Sequence, residues 1–198
     1  NLRLAGELGI PVANNGGAIA IPVAEFAITL TLSTIRHLTV AAADTVAGQW
    51  MRPEVDGRDS HELFATTVGI IGAGRIGSTV AGMLRGFETT TLYTDKVRSE
   101  KAESFGAVKV ELNELLERSD VVTLHTPLDG STHGLIGEAE LRLMKKTAIL
   151  INTCRGSVVQ EEALKRAIED GEIWGAGLDV FEQEPVDPNN PILNLENV

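Results

Sequence analysis

The 198 residues are 43% hydrophobic and include 28 acidic against 17 basic side chains, a formal net charge of -11. A chain of that size buries a sizeable core, and its acidity excludes the basic footprint of a nucleic-acid or anionic-membrane binder, so the expected partners are small molecules. One cysteine, Cys154, excludes an internal disulfide framework, and no apolar run reaches the roughly 18 residues a membrane span needs, so a reducing cytoplasm suits the chain.

Residues 1–9 read as the end of an amphipathic helix stopped by Gly9, so the chain is expected to open mid-fold. Residues 10–13 follow as a short apolar strand ending in the turn cluster Asn14-Asn15-Gly16-Gly17, and residues 1–15 are expected to be the tail of a separate domain. Pro22 suits the first turn of a long helix, where its missing N–H is an orphan in any case, and residues 23–38 continue it with mostly apolar, Thr and Ser side chains. Residues 44–60 turn polar and contain Gly48, Trp50, Pro53 and Gly57, which reads as an irregular excursion able to reach a partner. From Thr67 onward the pattern is regular. Apolar runs at 67–71, 89–93, 108–110, 121–125, 148–152 and 175–180 alternate with helical segments. Six strands with crossover helices predict an α/β doubly wound parallel sheet, order 3-2-1-4-5-6, with functional residues just past the carboxyl ends of the strands.

The first strand runs into Gly72-Ala73-Gly74-Arg75-Ile76-Gly77, and a helix-compatible stretch, 78–84, follows at once. Gly72 permits the tight turn, Gly74 lets a pyrophosphate approach the backbone, and Gly77 lets the helix pack on the strand. The second strand leads to Asp95, 23 positions after Gly72, where a carboxylate can accept from the adenosine ribose hydroxyls. Strand, turn, helix and acid in register point to a dinucleotide site. Asp95 repels a 2′-phosphate and so favours NAD over NADP, whereas Lys96 and Arg98 either accept such a phosphate or are solvated loop charges.

The fifth strand delivers Thr153-Cys154-Arg155-Gly156 to the sheet edge. Arg155 is either a clamp for a substrate carboxylate or a surface cation in a salt bridge. After the sixth strand, with Asp179 near its end, Phe181-Glu182-Gln183-Glu184-Pro185 turns away. Glu184 and Glu182 are both candidates to orient a catalytic histidine, against the alternative of an acidic solvated turn.

Residues 68–77, 119–128, 151–156 and 175–185, together with Val23-Ala24-Glu25 and Gly48-Gln49-Trp50, closely resemble the D-isomer-specific 2-hydroxyacid dehydrogenases, a family that includes phosphoglycerate dehydrogenase. The resemblance implies an NAD-dependent oxidoreductase moving a hydride between nicotinamide and C2 of a 2-hydroxy or 2-keto acid, with 3-phosphoglycerate one candidate. It makes Arg155 the substrate-binding arginine and Glu184 the partner of the catalytic histidine, leaving Glu182 a bystander. Arg75 and Ile76 match the pyrophosphate-binding pair, Asp95 the ribose acid, Thr126 and Thr132 positions beside the cofactor, and Thr153, Cys154 and Asp179 the surroundings of the nicotinamide. No metal is implied. The family's histidine follows a Glu-Asn-Val motif, and the chain ends at Glu196-Asn197-Val198, so the proton carrier is expected outside the sequence and the chain is expected to bind NAD and turn over little. His37, His61, His125 and His133 match no such motif. Residues 1–15 then read as the end of the substrate domain, 16–198 as the NAD-binding domain, and 16–65 as its long helix and dimer-forming excursion, which implies a homodimer. Three positions depart from the family pattern: Ile19 where an Asn near the substrate is common, Ala65 where a turn Gly is usual, and Gln160 where Asp or Asn caps a helix. Other readings within the same fold are an NAD-sensing corepressor and a formate or phosphite dehydrogenase.

Overall fold

The computed structural model describes residues 2–13, 17–49 and 61–198. Asn14, Asn15, Gly16, Trp50, Pro53 and Gly57, and with them most of the expected excursion, lie outside these residues. From Thr67 the chain builds one six-stranded parallel sheet from β1 (Thr67–Ile71), β2 (Thr90–Thr94), β3 (Val108–Lys109), β4 (Val121–Leu124), β5 (Ile149–Asn152) and β6 (Gly175–Leu178). Its order is β3-β2-β1-β4-β5-β6, as the pattern predicts. The central strands β4 and β5 are buried along their whole length, which explains their unbroken apolar runs, whereas the two-residue edge strand β3 is exposed.

Helices cover both faces. On one face α6 (Leu112–Arg118), α7 (Glu138–Leu143) and α8 (Glu161–Glu169) bury Leu115, Leu116, Leu141, Leu164 and Ile168. On the other, α2 (Ala20–Ile35), α4 (Arg75–Leu84) and α5 (Glu100–Ser104) bury Ala24, Ala27, Val80, Leu84 and Ala102 against Ile70, Tyr93 and Ile151. Small residues on α2 let it lie close to α4 and to β5 and β6.

Several elements differ from the expectations. The opening helix α1 (Leu2–Glu7) is present, but residues 10–13 form no strand: Ile10 and Val12 are exposed, and a strand without a ladder partner is not stable alone. The long helix stops at Ile35, three residues early, because His37 adopts a left-handed conformation (φ 47) that turns the chain by 64° into α3 (Leu38–Val46). Residues 44–46, expected to be irregular, are the last turn of α3. The helix after the glycine turn begins at Arg75, not residue 78. Among the described residues no single helix is long and apolar enough to cross a membrane.

Ala65, just before β1, has φ 60, and its N–H donates to Phe87 O at 2.9 Å. The turn therefore does require the conformation that glycine adopts freely and alanine adopts at a cost of about 1–2 kcal/mol. Ala65→Gly is expected to raise the melting temperature by about 1–3 °C, the strain relieved exceeding the added chain entropy. A scanning-calorimetry comparison that finds no increase would show that the turn stores no strain.

Candidate functional site

The site lies at the carboxyl edge of the sheet and begins with the turn after β1. Gly72 has φ +91, and a Cβ there would come within 2.8 Å of the His125 carbonyl carbon. Gly77, one turn into α4, faces the Gly72 carbonyl so closely that a Cβ would sit 2.1 Å from its oxygen. These contacts press the start of α4 against the end of β1. Gly74 is different: nothing lies within 4 Å of the place its Cβ would take. It is exposed, and the first amides of α4 have no side-chain cap, so the helix N-terminus is open to an anionic ligand. Arg75, also exposed, stands at that N-terminus, while Gly77 is buried behind the turn.

Two adjoining clefts share His125, Thr126 and Pro127. The larger, about 500 Å³, is lined by Gly72, Gly74, Asp95, Thr132 and both loops that flank the ends of β2 and β4. Asp95 is fixed by the backbone: Oδ2 accepts from Ala73 N–H at 2.8 Å and Oδ1 from Val97 N–H at 3.1 Å. Each oxygen keeps a lone pair for a hydroxyl donor. Thr132 is buried, donating to Pro127 O at 2.6 Å and accepting from Asp129 N–H at 2.8 Å, so its role in shaping the cleft is to fold the loop 127–132.

The second cleft, about 420 Å³, is lined by Ile19, Val23, Ile76, His125, Thr126, Thr153, Cys154 and Arg155. Ile19 thus stands on the wall where its departure from the family pattern would be felt. The Thr126 and Thr153 hydroxyls are buried without a full hydrogen-bond partner, Thr126 having only the weakly accepting Cys154 sulfur nearby. Such hydroxyls cost about 1–3 kcal/mol each unless a ligand satisfies them. Together with the open space at Gly74 they fit a dinucleotide with polar groups at both ends. Cys154 is buried, which raises its thiol pKa, and it donates to Asn152 Oδ1 at 3.1 Å; it is a wall, not a nucleophile.

Arg155 projects exposed from the end of β5, its guanidinium bonded to the Cys154 carbonyl, and it makes no ion pair among the described residues. Of the two alternatives for it, the surface salt bridge finds no partner among the described residues. The segment 153–155 is held by Asn152, whose Nδ2 donates to Arg155 O and whose Oδ1 accepts from Cys154 N–H, both at 3.0 Å. Sequence reading passed over this buried side chain; its polar amide at the last position of an otherwise apolar strand was the available signal.

Asp179 and Glu184 line neither cleft and both are exposed. Asp179 N–H donates to Asn152 O at 3.0 Å, placing it beside the end of β5. Glu184 Oε1 accepts from Phe181 N–H at 3.3 Å, and its loop is packed on the arginine loop, since a Cβ on Gly156 would lie 1.9 Å from the Phe181 carbonyl carbon. Glu182 is structural: its Oε1 accepts from Glu161 N–H at 3.0 Å and its own N–H donates to Glu161 Oε2 at 3.1 Å. It caps α8 in place of Gln160, which makes no side-chain cap.

His125, on both clefts, is desolvated to a pKa of about 4 and shares a hydrogen bond of 3.0 Å with Thr123 Oγ1. It is neutral near pH 7 and poorly matched to proton transfer there. His37 and His61 stack edge-on against Trp174, away from both clefts, and His133 is exposed.

Residues 28–198 match the model of the D-isomer specific 2-hydroxyacid dehydrogenase NAD binding domain. Among relatives, a glyoxylate reductase of Korarchaeum cryptofilum is 43% identical over all of this chain and 60% of its own length. A D-3-phosphoglycerate dehydrogenase of Methanocaldococcus jannaschii is 40% identical over all of this chain and 37% of its own. Among solved structures, D-lactate dehydrogenase with NAD+ from Lactobacillus jensenii superposes with a TM-score of 0.83 and 32% identity, over 95% of this chain and 58% of that one. The chain therefore spans about 60% or less of the length of these proteins.

The glycine turn separates folding from binding. Gly74→Val is expected to leave stability within about 0.5 kcal/mol of wild type and to weaken NADH binding at least about tenfold, because it fills open space beside the helix N-terminus. Gly77→Ala should instead cost about 1–3 kcal/mol by overpacking against Gly72 O. Thermal melts alongside NADH fluorescence titrations check both, and unchanged affinity in the Gly74 variant would remove the pyrophosphate from this turn.

Proposed function

As the chain belongs to the D-isomer specific 2-hydroxyacid dehydrogenase family, we propose that it is the cofactor-holding part of an oxidoreductase that interconverts a 2-hydroxy acid and its 2-keto acid. The cofactor is NAD. When bound, its nicotinamide supplies the hydride donor or acceptor. The residues that would hold it are the turn of Gly72, Gly74, Arg75, Ile76 and Gly77 for the pyrophosphate, Asp95 for the adenosine ribose, and Thr126, Thr153 and Cys154 around the rest, with Thr132 shaping the cleft from its loop and Asp179 outside both clefts beside the end of β5.

The observation that carries the reading is Arg155, a guanidinium bonded to the Cys154 carbonyl but without an ion pair among the described residues, on the same cleft wall as Thr153 and Ile76. A planar fork of donors binds a carboxylate through two hydrogen bonds and withdraws charge from the adjacent C2 carbonyl, so it favours attack at that carbon. Glu184, whose Oε1 takes one backbone N–H, has a second oxygen with no hydrogen bond among the described residues. We assign it to a histidine that moves the alcohol proton, since His125 is desolvated to a pKa of about 4 and His37 and His61 lie against Trp174, away from both clefts. The carboxylate-bearing substrate is a small 2-keto acid, with 3-phosphohydroxypyruvate, the keto form of the 3-phosphoglycerate pair, as one member of the set to be tried.

Along α2 and α3, Ile21, Phe26, Leu38 and Val46 remain exposed, 58%, 41%, 58% and 90% respectively. We assign this face to a homodimer, and a monomer in sedimentation at micromolar concentration would contradict that.

The native protein carrying this chain is expected to oxidise NADH with at least one acid among glyoxylate, pyruvate and 3-phosphohydroxypyruvate. Arg155→Gln should lower kcat/KM by about 10²- to 10³-fold while leaving NADH affinity within about twofold. Tight NADH binding without turnover of any acid would favour a cofactor-sensing module, and turnover of formate or phosphite alone with NAD+ would reassign the substrate.

A further inference from the structure

Two cations follow the ribose acid, Lys96 and Arg98, and each is held by an acidic group. Arg98 is held by Glu103 at 2.6 Å, and the other Glu103 oxygen accepts from the Tyr93 hydroxyl at 2.8 Å. Lys96 reaches across the larger cleft: its Nζ donates to Ser131 Oγ at 2.7 Å and lies 4.0 Å from Asp129 Oδ2. Lys96 belongs to the wall formed after β2 and Ser131 to the wall formed after β4, and among the described residues this is the side-chain hydrogen bond that joins them. Asp129 is itself fixed. Its Oδ1 accepts from Ser131 N–H at 2.7 Å and from the Ser131 hydroxyl at 2.6 Å, and these bonds, with the Lys96 charge beyond them, hold its carboxyl below the usual range.

The ribose end therefore has two carboxylates on its rim, Asp95 and Asp129, and the cation beside Asp95 is drawn to the opposite wall. A 2′-phosphate entering there meets two like charges, and Lys96 can reach it only by leaving Asp129 and Ser131. We propose that this Lys96–Ser131–Asp129 strap, acting with Asp95, sets the discrimination of the site against 2′-phosphorylated dinucleotides. The proposal rests on the assignment of this cleft to the adenosine half of NAD. It bears on the alternatives left open for Lys96 and Arg98: both are solvent-exposed charges, and each already has a partner, Ser131 with Asp129 4.0 Å away for Lys96 and Glu103 for Arg98.

The test is equilibrium binding of NADH and NADPH, read by nucleotide fluorescence, to wild type, Asp129→Asn, Ser131→Ala and the double variant Asp129→Asn with Lys96→Met. Asn in place of Asp129 keeps the acceptor for Ser131 and removes the charge. Wild type is expected to bind NADH at least about tenfold more tightly than NADPH, and Asp129→Asn to tighten NADPH by about tenfold at low ionic strength with NADH changed less than about threefold. Ser131→Ala should shift NADPH in the same direction, and the double variant should lose the gain. Equal affinities in wild type, no gain in NADPH affinity in either single variant, or a gain that survives removal of Lys96 would each overturn the strap. Failure of wild type to bind NADH would overturn the dinucleotide site itself, and the strap with it.

Discussion

The close approach of the first turn of α4 to the end of β1 is the constraint on which the site depends. Gly77 packs where any side chain would strike the Gly72 carbonyl, and Gly72 takes a conformation that L side chains rarely adopt. With both in place the helix starts immediately after the strand, its N-terminal amides uncapped by protein and its positive dipole end facing the cleft. The same approach brings Ala73 N–H within 2.8 Å of Asp95, so the acid after β2 orders the turn and lines the cleft at once. Moving α4 outward by a fraction of an ångström would loosen all of these together.

How much of this the sequence carries depends on the range of the interaction. The parallel sheet, its order and the glycine turn were readable because each rests on local chemistry: apolar runs of strand length, a turn that needs glycine, an acid at the next strand end. Ala65 stood out only through the family resemblance, which puts Gly at that turn, and the structure gives it φ 60. What failed depends on partners distant in sequence or absent. Residues 10–13 have strand composition but no neighbour to pair with, and the break of the long helix at His37 carries no Gly or Pro to announce it. The replacement of the Gln160 cap by Glu182 joins residues 21 apart in sequence through a loop contact that composition does not encode. The strap from Lys96 to Ser131 spans 35 positions and was equally invisible.

His125 illustrates why placement alone does not make a catalytic group. It touches both clefts, within the region where a proton carrier would be useful. Burial opposes its charged form, however, and its Nε2 shares a hydrogen bond with Thr123. With a folded pKa of about 4 against an ordinary 6.5, the imidazole stays neutral above pH 5. The unfolded chain binds the proton first as pH falls, so the neutral histidine supports the fold above pH 6.5 and that support is lost toward pH 4. Its chemistry belongs to packing between β4 and the glycine turn, where its carbonyl meets Gly72.

A chain with net charge -11 whose cofactor is itself an anionic dinucleotide has an electrostatic problem that whole-molecule charge cannot solve. At physiological salt, charges more than about 8 Å away are largely screened, so the local arrangement decides. Many cations are tied to acids: Arg98 to Glu103, Arg118 to Glu114, Arg142 to Glu138 and Glu172, Lys145 to Asp120 and Lys165 to Glu169. Among the described residues Arg75 and Arg155 are tied to none, and they stand at the helix N-terminus and at the end of β5. The pairs elsewhere matter to function mainly by what they leave unneutralised, because a guanidinium that already has a carboxylate is a weak ligand for a second one. Of the acids in the loop packed on the arginine loop, Glu182 is locked into the cap of α8 and Glu184 accepts from Phe181 N–H, and among the described residues neither pairs with Arg155.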